Sequence, residues 1–182
     1  MTTESSSNLL SSSSSTSGWK YDVFLSCRRN GSCRKFKDHL YAALNKRGIF
    51  TIGDDDEWER GREEAILKAV EESRYVILVL SQNYASSTWC LDALAKAVEC
   101  TKSMGQTILP IFYDVEPYEV LRQKGSFAEA FSKHEQVFKD NMGKVYRWRA
   151  ALDTVGNLNG WNLQDGIQVH ILCFIFSLCQ RK

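Results

Sequence analysis

Three groups of residues in this chain have types and spacing suited to chemistry. The first is the run Ser86-Ser-Thr-Trp-Cys-Leu-Asp-Ala-Leu94. Its serines can cap the first turn of a helix by accepting from free backbone N–H groups. Trp89 offers a flat wall on which an aromatic base can stack. The second is the polar, basic loop Cys27–Lys35 around Asn30-Gly31, which carries Arg28 and Arg29. The third is Asp54-Asp55-Asp56-Glu57, whose carboxylates suit a hard cation such as Mg²⁺. The same residue types also build solvated turns and caps. We take the acidic run as such a loop and expect no metal. Six cysteines (Cys27, Cys33, Cys90, Cys100, Cys173 and Cys179) form no Cys-x-x-Cys pair and have no histidine at metal-ligand spacing. They read as mostly buried, reduced thiols.

These groups need a scaffold, and hydrophobic periodicity supplies one. Leu91, Leu94, Ala95 and Val98 repeat at the spacing of a helix with one buried face, with Ser86 or Ser87 as its cap. The aliphatic run Arg74–Leu80 before it has the character of a central parallel strand covered on both faces. Trp89 therefore belongs near the carboxyl edge of a sheet, where open α/β folds place ligands. Further strands are expected at Lys20–Ser26, Ile49–Ile52, Thr107–Tyr113 and Asn159–Leu163. Helices are expected at Phe36–Lys46, Arg62–Ser73, Ser126–Phe138, Lys144–Leu158 and Ile167–Leu178, with Asp114–Gly125 a loop. Pro110 inside the fourth strand implies an edge, a bulge, or a position whose N–H is not needed. Strands alternating with helices give an α/β fold: a flavodoxin-like, parallel five-stranded sheet flanked by helices on both faces.

At 182 residues the chain holds one ordinary domain with tails, and its net charge of +1 predicts no general attraction to nucleic acid. Residues 1–19 form a Ser-rich tail too polar to offset its ordering entropy, and we read it as disordered. The N-terminus lacks the basic start and apolar core of a signal peptide. Ile167–Leu178 is too short to span a bilayer of about 30 Å as a helix. A soluble intracellular chain is expected.

The string Tyr21-Asp-Val-Phe-Leu-Ser26 resembles the opening strand of plant TIR (Toll/interleukin-1 receptor) domains. The likeness continues through Asp54-Asp-Asp with Glu59-Arg-Gly61, Ser81-Gln-Asn-Tyr-Ala-Ser-Ser87, Trp89-Cys-Leu-Asp92 and Leu109-Pro-Ile-Phe-Tyr-Asp-Val115. It is collinear over residues 20–166, leaving residues 167–182 as a divergent apolar helix or tail. In plants such a domain usually precedes a nucleotide-binding, leucine-rich-repeat receptor, so the chain resembles a TIR-only or truncated member. The resemblance implies a signalling module of innate immunity, in the cytoplasm and also the nucleus, whose partners are other TIR domains. It also implies NAD⁺ hydrolysis, with NAD⁺ as substrate or ligand, no required cofactor, and Arg28, Ser87 and Trp89 as binding residues. Asp38 and His39 on the first helix occupy the family's association surface.

The family's catalytic carboxylate falls one helical turn after the Trp, and here that position is Ala93. Leaving nicotinamide builds positive charge on ribose, which a carboxylate stabilises. A methyl group cannot. Asp92 lies about 100° further round the helix and Glu99 on another face. Loss of such a group costs on the order of a thousandfold in rate. The loop after the first strand departs too: Arg28 and Ser32 remain, but Arg29 replaces a small Gly and Asn30-Gly31 an acidic pair. The loop between Gly61 and Ile66 is about two residues short. We therefore expect an interaction module weak or inactive as an enzyme, with a working NAD⁺ hydrolase as the alternative. A phospho-acceptor receiver shares the fold, but Leu80-Ser81 ends the third strand where its acceptor Asp should stand.

Overall fold

The computed structural model describes residues 18–53, 63–163 and 169–179, with the side chains of Val169 and His170 left aside. The acidic run Asp54–Glu57 and the loop through Gly61 lie outside the described residues. The elements alternate as expected. They are β1 (Tyr21–Cys27), α1 (Arg34–Lys46), β2 (Thr51–Gly53), α2 (Glu63–Glu71), β3 (Ser73–Leu80) and α3 (Thr88–Met104). There follow β4 (Thr107–Tyr113), α4 (Pro117–Arg122), α5 (Ser126–Val137), α6 (Met142–Gly156), β5 (Trp161–Leu163) and α7 (Val169–Cys179). All strand pairs are parallel, in the order β2-β1-β3-β4-β5. This is the flavodoxin-like order.

Alternation along the central strands divides the interior into two cores. Val76, Leu78 and Leu80 face one side and meet α2, α3, α5 and α6 through Ile66, Leu91, Leu94, Phe131 and Trp148. Tyr75, Ile77 and Val79 face the other and meet α1 and α7 through Phe36, Leu40, Leu44, Ile171 and Ile175. A strand covered on both faces must be apolar at every position, which is why β3 reads as one continuous hydrophobic run. The apolar last helix is thus buried along one side, and Tyr75 donates its hydroxyl to the Leu178 carbonyl at 3.1 Å. Phe174 stays exposed on the other side.

Two expectations need correction. The segment Asp114–Gly125 is not all loop, because α4 forms within it. Its start carries Pro117 in the first turn, and the Glu119 carboxylate accepts from the Glu116 N–H at 3.1 Å, one half of a capping box. Those residues signal a helix start, and the shortness of the helix hid it. The second correction concerns sulfur: Cys27 and Cys33 are joined in a disulfide, while Cys90, Cys100, Cys173 and Cys179 are free. The turn 28–32 folds back on itself and brings the two sulfurs together. A spacing of six matches no metal or redox motif, so only the tertiary path reveals the pair. For Pro110 the pairing selects the third reading, a position whose N–H is not needed. β5 pairs with β4 only from Ile111 onward, so Pro110 sits where β4 has a neighbour on one side.

Candidate functional site

In a sheet of this order the strand connections diverge between β1 and β3, and a crevice opens above their carboxyl ends. A cavity of about 300 Å³ lies there, walled by Cys27, Arg28, Arg29 and Asn30 after β1 and by Ser86, Ser87, Thr88, Trp89 and Cys90 after β3. Ile66 of α2 closes one side.

Each wall is set by local chemistry. Beyond β3 the chain makes a short 3-10 turn at Tyr84–Ser86, then enters α3. Ser87 is the N-cap, in extended backbone, and its Oγ accepts from the Cys90 N–H at 3.3 Å. The neighbouring Ser86 hydroxyl turns back to donate to the Asn83 carbonyl at 2.7 Å. Below, the Tyr84 hydroxyl donates to the Cys90 carbonyl at 3.1 Å and stands 3.1 Å from Ser26 Oγ. These bonds fasten the first turn of α3 to the end of β1. Arg28 closes the arch from the opposite wall, donating Nη1 to the Asn83 carbonyl at 3.0 Å.

The structure places Arg28, Ser87 and Trp89 on the wall of one cavity. Ala93 is placed one turn past Trp89, buried in the core cluster and outside the cavity wall. Asp38 and His39 are exposed on α1 and do not line the cavity; Asp38 makes a loose ion pair with Arg34 at 4.0 Å. Asp92 is buried and committed elsewhere. Its Oδ1 accepts from Trp148 Nε1 at 2.8 Å, and its Oδ2 pairs with Lys144 Nζ at 3.1 Å.

Sequence reasoning singled out the loop of Arg29 and Asn30 without assigning those two to the wall, and it missed Ile66 and Thr88 as wall and Tyr84 and Asn83 as braces. Arg29 and Asn30 could have been found, since they come directly after Arg28 in the same short loop. Nothing in the spacing pointed to Ile66. Electrostatically the described lining holds two guanidinium groups and no carboxylate. The dipole of α3, whose N-terminal end faces the cavity, adds partial positive charge. Such a cavity suits a ligand with an anionic part and an aromatic ring to lay against Trp89. Among its described lining residues there is neither a carboxylic acid nor a histidine for proton transfer. No group of His, Cys, Asp and Glu among the described residues has the geometry to hold a metal ion. Burial pushes the Cys100 thiol up and raises that of Cys179 to about 11, so neither is a thiolate near neutrality.

The TIR domain family model matches residues 20–172. The chain is 48% identical over 153 residues to TMV resistance protein N of Nicotiana glutinosa, covering 83% of this chain and 13% of that protein. It is 51% identical over 147 residues to disease resistance protein RPV1 of Vitis rotundifolia, covering 80% of this chain and 10% of the relative. Against the TIR domains of the activated Roq1 resistosome, a structure directly recognizing the pathogen effector XopQ, the TM-score is 0.74 at 40% identity. That match covers 87% of this chain and 96% of the other. No helix among the described residues is long and apolar enough to cross a membrane.

Proposed function

The chain belongs to the TIR domain family, and we propose that it is a signalling and interaction module of plant innate immunity that is weak or inactive in cleaving NAD⁺. Its similarity to disease resistance proteins supports the immune setting, although it spans only about a tenth of their length. The observation that carries the enzymatic half is the cavity itself. Its described walls supply cations, hydroxyls and an indole, and no acid. At Ala93 a methyl group stands where the family places its carboxylate. Such a site binds a dinucleotide phosphate and a base. Its described lining holds no carboxylate to stabilise a ribosyl cation.

NAD⁺ enters this reading as a ligand, with Arg28 on the pyrophosphate, Trp89 against a base and the Ser87 hydroxyl free to donate. Partners are other TIR domains, met through the exposed face of α1 that carries Asp38 and His39, in the cytoplasm or nucleus. The similarity to TIR domains solved within a resistosome supports assembly of this kind.

The test is nicotinamide release from NAD⁺ by the purified, concentrated protein, set beside Ala93→Glu. Wild type should turn over on the order of a thousandfold more slowly than a Glu-bearing relative, with Ala93→Glu recovering part of the rate. Equal turnover would establish the alternative, a working hydrolase, which the complete basic and aromatic lining of the cavity favours. Assembly is read separately by sedimentation. A protein that stays monomeric and binds no TIR partner would remove the interaction half.

A further inference from the structure

We propose that the Cys27–Cys33 disulfide is a reversible redox latch that holds the basic wall of the cavity against α1. Cys27 is the last residue of β1, and Cys33 is the residue before α1 begins. Between them run five residues, three of which (Arg28, Arg29 and Asn30) line the cavity. One covalent bond therefore ties the end of a central strand, the ligand-facing loop and the helix that carries Asp38 and His39.

The loop has few backbone bonds of its own to keep its shape. Among the described residues these are Gly31 N–H to the Arg28 carbonyl at 3.2 Å and Arg34 N–H to the Gly31 carbonyl at 3.3 Å. The fold is tight around Gly31, where a Cβ would stand 3.3 Å from the Arg28 carbonyl oxygen and 3.6 Å from Cys33 Sγ. Both cysteines are fully buried, among the apolar side chains that pack β1 against α1. Exchange therefore needs the loop to open. A ligand seated against Arg28 and Asn30 keeps it closed.

The co-reactant is a small monothiol and its disulfide, of the glutathione class. In the reducing direction a thiolate attacks one protein sulfur, breaking the Cys27–Cys33 bond and forming a mixed disulfide. The released cysteine thiolate takes up a proton. A second monothiol molecule resolves the mixed disulfide, giving two protein thiols and one small-molecule disulfide. Two electrons pass from the monothiol pair to the protein, and the reverse course needs only the oxidised couple. Once the bond is gone, the wall keeps its peptide links, the Arg34 N–H bond to the Gly31 carbonyl and the exposed Arg28 bond to Asn83, while β1, β3 and α3 keep their sheet and core packing.

The ligand half of this inference rests on the nucleotide reading above; the latch does not. Equilibrate the full chain in glutathione buffers of stepped ratio, trap thiols by alkylation, and map them by mass spectrometry. Amide exchange of segment 27–34 is read in the oxidised and reduced states. Cys27 and Cys33 should become alkylated together in one two-electron step, with exchange in that segment rising about tenfold or more and β3 unchanged. Cys33→Ser should show the fast loop at every ratio. A pair that stays reduced throughout, or a loop whose exchange ignores the bond, overturns the latch. A rise spread evenly over the chain overturns it too, because the bond would then be a general staple. Added NAD⁺ should slow reduction of the wild-type bond. If it does not while the paired step and loop release persist, the latch is supported and nucleotide binding alone is refuted.

Discussion

Replacing Asp92 with alanine should destabilise the domain by about 3 kcal/mol, and the reason lies in two bonds. Asp92 is 4% exposed and accepts from the indole N–H of Trp148 at 2.8 Å. Trp148 is fully buried, set edge-on against His134 and Phe138 with ring centres 5.2 and 5.3 Å away. Truncation leaves that N–H without an acceptor where water does not reach. A lost hydrogen bond to a charged group, with its partner left orphaned, costs about 1.5–3 kcal/mol. Lys144 loses its 3.1 Å partner too, but its side chain is 29% exposed and Glu63 stands 3.8 Å away, so that loss adds about 1 kcal/mol at most. About 3 kcal/mol is roughly a hundredfold in the folding constant and about 6–12 °C in Tm for a chain of this size. Asp92→Asn keeps an acceptor for the indole and should cost about half as much. Urea unfolding of Asp92→Ala, Trp148→Phe and the double variant measures the coupling, which should exceed about 1 kcal/mol. Costs that simply add, or an Asp92→Ala protein within about 0.5 kcal/mol of wild type, would refute the reasoning. Asp92 would then be free for other work, including chemistry.

Single sites carry the other expectations. Burial raises the Cys179 thiol from 9.0 to about 11, so above pH 9 the unfolded chain gives up this proton first and stability falls until about pH 11. Melting curves should show that alkaline decline reduced in Cys179→Ser relative to wild type. Iodoacetamide at about pH 8 should label exposed Cys173 well before buried Cys100 and Cys179, as peptide mapping will report. Gly160→Ala should cost about 1–3 kcal/mol, because the new Cβ would meet the Pro110 carbonyl oxygen at 2.5 Å and force β5 away from β4. Gly156→Ala, which in an open helix would stabilise by up to about 1 kcal/mol, should instead destabilise. There the Cβ would stand 2.7 Å from Leu121 Cα, in the backbone of α4.

The order of elements and the place of the pocket were legible in the chain because each rests on local pattern. The β3 run is apolar at every position, α3 carries its cap in Ser87 and its stripe in Leu91, Leu94 and Val98, and a strand leading into such a helix puts Trp89 at the sheet edge. Arg28, Ser87 and Trp89 could be assigned to one site from the sequence together with its family resemblance. Alternation of strands and helices likewise implied a parallel sheet, and hence a crevice between β1 and β3. Features that depend on residues a few positions apart, or on a repeat of elements, are written along the chain.

Tertiary structure decided the features that need distant residues to meet, or a short turn to fold in one way. Ile66 became cavity wall because α2 packs beside α3. Asp92 was withdrawn from the cavity side because Trp148, 56 positions away, needed an acceptor in the core. Cys27 and Cys33 became a bonded pair because the turn between them doubles back, something a count of intervening residues does not convey. The apolar residues of α7 were equally suited to a buried helix or a sticky tail until α1 and the sheet offered Ile171 and Ile175 a place. A side chain's type records what it can bond to. Only the folded path determines which partner arrives and whether water is left to compete for it.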